Sequence, residues 1–94
     1  MFNQFENNNS KDMAVALIQK GIQFIQESKF SDAKELFEQS VTHYPTAEGY
    51  TFLAWMISKD GLFEHAIEYC KMAIEIDPDY GNPYNDIGSY YVEL

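Results

Sequence analysis

Apolar side chains recur at steps of three and four from residue 11 to the end of this chain, and polar or proline-bearing breaks divide them into five segments. Ala14, Leu17, Gly21 and Phe24 mark one face of a first helix over 11–28. "KFSD" interrupts it, with Ser31 placed to cap the next. Ala33, Phe37, Ser40 and Tyr44 mark a second helix over 32–44. Pro45 ends it, because proline cannot continue the hydrogen-bond ladder and disfavours helical geometry at Tyr44. A third helix over 47–59 carries Tyr50, Leu53, Ala54 and Ile57, and Gly61 follows as its C-terminal cap. Phe63, Ala66, Cys70 and Ala73 mark a fourth over 62–76, stopped by Pro78. Asn82-Pro83, a capping side chain followed by proline in the first turn, opens a fifth that runs to the terminus. No segment alternates with period two, so the predicted fold class is all-α. Residues 1–10 are polar and aperiodic and read as a flexible leader, with Ser10 as the cap of the first helix.

The segments repeat. Sliding the sequence by 33 places Leu17 on Tyr50, Gly21 on Ala54, Phe24 on Ile57, Phe30 on Phe63, Ala33 on Ala66, Ser40 on Ala73 and Pro45 on Pro78. Sliding it by 34 places Tyr50 on Tyr84, Leu53 on Ile87, Ala54 on Gly88 and Ile57 on Tyr91. The unit is a helix pair. Its small residues have a packing reason: Gly21, Ala54 and Gly88 are expected where a partner helix crosses closely. Ala33 and Ala66 are the reciprocal small residues, and Phe24, Phe37, Tyr50 and Ile57 fill the space on either side.

This period and pattern resemble the tetratricopeptide repeat family, whose signature runs large residue, Leu-Gly, aromatic, then Ala, aromatic and Pro. "YNDIGSYY" (84–91) matches it at Tyr84, Ile87, Gly88 and Tyr91, while "FSDAKELFEQSVTHYP" and "FEHAIEYCKMAIEIDP" resemble the second helix and its proline stop. Lys20 stands where the signature has Leu, and Cys70 where it has an aromatic. The resemblance implies a TPR-like domain over 11–94, with repeats at 14–46 and 47–80 and the first helix of a third at 81–94. It also implies a short right-handed superhelix, an α-solenoid whose first helices line a concave groove for partner peptides and whose second helices form the convex face.

Charge narrows the partners. Fifteen acidic residues against six basic ones give a net charge of −9 and oppose nucleic acid and anionic membrane surfaces, which are held through Lys and Arg. No apolar run approaches the ~20 residues of a membrane span. One cysteine excludes an internal disulfide, and the start lacks a secretory signal pattern, so the chain reads as cytoplasmic. His43 and His65 read as ordinary surface or boundary histidines, and Cys70 lies on a buried stripe. There is no metal-binding spacing and no phosphate-cradling glycine loop. An enzyme is not expected, nor any cofactor or metal. Glu35, Glu38, Glu64, Glu68 and Glu75 read as a solvated convex face.

A second stripe on the first helix, Val15, Ile18, Ile22 and Ile25, runs beside its core stripe. Its counterparts are Glu48, Thr51, Trp55 and Ser58 (with Phe52 adjacent) and Asn82, Asn85, Ser89 and Val92. By the resemblance this side faces the groove, so the expected partner-binding residues are Ile18, Ile22, Ile25, Thr51, Phe52, Trp55, Asn85 and Ser89. Apolar residues here imply a cover: a partner segment, the superhelix itself, or the leader through Phe2 or Phe5. Family members that clasp acidic chaperone tails place Lys, Asn, Asn, Lys and Arg where this chain has Ile18, Ile22, Phe52, Asn82 and Asp86. An apolar or amphipathic peptide or helix, with basic flanks, is therefore the expected occupant. The alternatives are a self-associating scaffold, dimeric or extended through Ile87, Tyr90 and Tyr91 of the last helix, and a small acidic secretion or assembly chaperone. The unpaired last helix reads as the start of a longer array.

Overall fold

The computed structural model describes residues 2–94, with side chains from residue 9 onward. Five helices follow one another: α1 (Phe2–Gln26), α2 (Phe30–His43), α3 (Ala47–Lys59), α4 (Phe63–Ile76) and α5 (Asn82–Glu93). There is no strand among the described residues. α1 begins at Phe2, so it takes in the polar stretch expected to lead into it, and Ser10 lies within the helix rather than at its cap. The side chains of Phe2 and Phe5 lie outside the described residues.

Local chemistry sets the ends. α1 closes with two bonds, Ser28 N–H to the Ile25 carbonyl (2.9 Å) and Lys29 N–H to the Phe24 carbonyl (2.8 Å), which force Ser28 into the left-handed region at φ 62. That turn is tight enough for α2 to start at Phe30, so Ser31 sits inside the first turn and no side chain caps the helix. After Pro45, the Thr46 hydroxyl oxygen accepts from Gly49 N–H at 2.9 Å and caps α3. Gly61 takes the left-handed turn after α3, at φ 79. In α5 the expected cap moves by one: Gly81 holds the cap position, and Asn82 instead donates its side-chain amide to Tyr80 Oη at 2.9 Å.

Packing pairs α1 with α2 and α3 with α4, while α2 meets α3, and α5 lies against α4 and α3. A Cβ built on Gly21 falls 2.6 Å from Phe37 Cε1, so only glycine lets α2 approach this closely. Phe37, Ala33, Ala54, Ala66, Cys70 and Ala73 are fully buried. The Phe37 ring stacks on Phe52 at 5.1 Å, carrying the core from the first pair to the second. Burying such a ring contributes about 1.5–3 kcal/mol. Ser40 is also buried, and its hydroxyl donates to the Ala14 carbonyl at 2.9 Å, so no polar atom is stranded there. The third expected crossing is not made. Gly88 is exposed, and nothing lies within 4 Å of its Cβ position.

Candidate functional site

α3 is the central helix, with Leu53, Ala54, Met56 and Ile57 buried. Its remaining face turns toward α5, and Trp55, 40% exposed, stands there. Thr51, Phe52 and Trp55 from α3, Tyr80 from the loop before α5, and Asn82, Asn85 and Asp86 from α5 line one cleft of about 240 Å³. Phe52 supports Trp55 from below, its ring centroid 6.5 Å away, and itself rests on Phe37. Lys59 Nζ lies 5.2 Å from the Trp55 ring centre and 4.4 Å from that of Phe30, bridging the indole to the start of α2.

The eight expected partner-binding residues divide. Thr51, Phe52, Trp55 and Asn85 come together in this cleft. Ile18 is 3% exposed and belongs to the core, while Ile22 and Ile25 are half-buried against it. They are covered by the protein itself, because the apolar face of α1 is wide enough to take Ile18 into the core beside Ala14 and Gly21. Thr51 is buried too, its hydroxyl donating to the Ala47 carbonyl at 2.7 Å, so it forms the cleft floor and has no free donor. Ser89 is exposed and lies outside the cleft lining. Of the three residues expected to self-associate, Tyr90 is only 6% exposed and packs on Phe63 with ring centroids 6.1 Å apart, and Ile87 is half-buried. Tyr91, 55% exposed, remains available.

Tyr80 is the lining residue that sequence reasoning missed; Asn82 lies on the expected groove stripe and Asp86 at a position compared with the chaperone-tail clasp, though neither is among the eight expected partner-binding residues. Tyr80 arrives from a loop, and its link to Asn82 is a tertiary contact that no periodicity announces.

The chain superposes on solved structures over most of its length. One is the second TPR of Spaghetti (RPAP3), solved bound to the HSP90 peptide SRMEEVD: TM-score 0.85 and 23% identity, covering 92% of this chain and 80% of that one. The first TPR of the same protein, bound to the same peptide, matches with TM-score 0.85 and 20% identity, covering 89% and 68%. The fold is that of the tetratricopeptide repeat. No protein-family model and no curated protein matches the sequence.

Within this tetratricopeptide-repeat fold the cleft has one residue charged at neutral pH, Asp86. Burial pushes its carboxyl above the ordinary 3.8, and it makes no ion pair among the described residues. Behind it, burial and then the Asp86 charge push the Cys70 thiol up to about 12. Burial likewise raises the Tyr90 hydroxyl to about 12, with the neighbouring Ser58 hydroxyl opposing the shift. A thiol held in that state has almost no nucleophilic thiolate at neutral pH.

Proposed function

We propose that this protein is a non-catalytic interaction module that holds a segment of a partner protein, as a peptide or a helix, in the groove between α3 and α5. The observation that carries this reading is Trp55, an indole left open on the packed support of Phe52 and flanked by polar Asn82 and Asn85. An aromatic anchor within a polar rim is the arrangement of a binding hot spot. The two similar solved domains hold a peptide of HSP90, which supports a peptide-binding use of the same fold. The acidic end of that peptide does not suit this groove, where Asp86 supplies the only charge. An apolar or amphipathic segment does.

The test is to pan a random 12-residue peptide library on the immobilised protein and compare selected binders on Trp55→Ala. The expected result is unchanged helicity by circular dichroism and binding weaker by about 1–3 kcal/mol. Equal affinity for both proteins would remove the groove reading.

A second reading is self-association, favoured by α5. Gly88 occupies the slot that Phe37 covers at Gly21, yet it is open, and Tyr84, Tyr91 and Val92 are exposed along the same helix. Sedimentation velocity across a hundredfold concentration range separates the readings, since a strict monomer excludes this one.

A further inference from the structure

The Asp86 carboxylate is the one feature of the cleft that apolar recognition leaves unused. It is partly withdrawn from water, lacks a cationic partner among the described residues, and faces a cleft walled by Trp55, Phe52 and Tyr80. A desolvated carboxylate without a counter-charge costs stability and is relieved by a cation brought beside it. The lining is also rich in acceptors. Asn82 uses its side-chain N–H on Tyr80 Oη, leaving its carbonyl oxygen free to accept, and Asn85 and Asp86 add further oxygens. The indole already takes one cation, Lys59, from the side of Phe30. The protein as a whole, at −9, attracts positively charged segments.

We propose that this cleft is a subsite for an arginine side chain of the bound segment, its guanidinium plane against the Trp55 indole and its N–H groups directed to Asp86 and the Asn82 and Asn85 carbonyl oxygens. Arginine suits the site because a planar, weakly hydrated cation stacks on aromatic faces and offers several donors in one plane. The size matches as well: Phe52, Trp55 and Tyr80 bound a space of about 240 Å³ beside one carboxylate. The inference rests on the groove reading and sharpens it, making the groove a cation-selective anchor point rather than an apolar trough alone.

The test uses N-acetyl-arginine methylamide and its neutral isostere N-acetyl-citrulline methylamide, titrated into the full 94-residue chain by two-dimensional ¹⁵N NMR. The expected result is saturable shifts of the Trp55 indole N–H and the Asn82 and Asn85 side-chain amides with arginine, at least tenfold weaker with citrulline. Asp86→Asn, an isosteric change that leaves the backbone pattern of shifts intact, should bring the ratio of the two affinities to about one. Equal binding of both probes to the wild type, or a preference that persists in Asp86→Asn, overturns the proposal. Either failure leaves the groove reading to its own test, because peptides selected by panning and lost in Trp55→Ala read the apolar anchor whether or not they carry arginine. A neutral panned peptide that displaces no arginine probe would likewise count against the subsite while supporting the groove.

Discussion

Replacing Gly21 with alanine sets a methyl carbon 2.6 Å from Cε1 and 2.7 Å from Cζ of Phe37. Phe37 has no exposed surface, and its ring stacks on Phe52 at 5.1 Å and 12°, so it cannot swing clear without opening that stack. Forcing a methyl group into a packed interface costs about 1–3 kcal/mol, of which alanine returns up to about 1 kcal/mol through its better helix propensity. The expected net loss is about 1–2 kcal/mol, equivalent to a fall of roughly 5–15 °C in Tm for a chain of this size. Gly88 occupies the same slot of the repeat, but nothing lies within 4 Å of its Cβ position. Gly88→Ala therefore has only the propensity term and should stabilise by about 0.5–1 kcal/mol. Urea unfolding followed by circular dichroism at 222 nm measures both variants against the wild type. Opposite signs are required. A Gly21→Ala protein as stable as the wild type, or a Gly88→Ala protein less stable, refutes the claim that the first slot is closed by a partner helix and the last is open.

Ser28 takes the left-handed turn at the end of α1 that Gly61 takes at the end of α3, so Ser28→Gly should stabilise the fold by about 0.5–1 kcal/mol, and a lower urea midpoint would contradict the assignment. Because burial raises the Asp86 carboxyl above 3.8, the folded state binds more protons than the unfolded one as pH climbs from 3.8 through the raised folded-state pKa, and stability falls across that window. Asp86→Asn is accordingly expected to be more stable than the wild type at pH 7 and no more stable near pH 3; a midpoint gain independent of pH would assign the effect elsewhere. Cys70, fully buried and held at about 12, should resist iodoacetamide at pH 8 until the protein unfolds, whereas rapid labelling of the native chain would contradict its place in the core.

Signals that act within a few residues were readable in advance. Pro45 before α3 and Gly61 after it marked both of its ends, and the recurrence of Gly21 and Ala54 at a fixed distance placed the first two helix crossings. What depended on neighbours was not. Ile18 and Leu17 flank the same line through Ala14 and Gly21, and only the position of α2 decides that Ile18 is the more buried. Tyr90 sits one residue from the exposed Tyr91, and its burial follows from Phe63 lying beneath it. The stretch before Ser10 has no apolar period, yet its backbone continues α1. At the cleft, Thr51, Phe52 and Trp55 were legible from the α3 stripe and Asn85 from its counterpart on α5. Tyr80 and Asp86 come from a loop and from the next helix, and their meeting with Trp55 is a product of how α5 docks.

Mapping where a bound segment sits tests the groove most directly. With the tightest 12-residue peptide from the panned library, ¹⁵N chemical-shift changes should concentrate on Thr51, Phe52, Trp55 and Asn85, leaving Glu35, Glu38, Glu64 and Glu68 on the second helices unmoved. Changes confined to those outer helices or to Tyr91 and Val92 at the end of α5, or a library from which no binder emerges, would contradict the account.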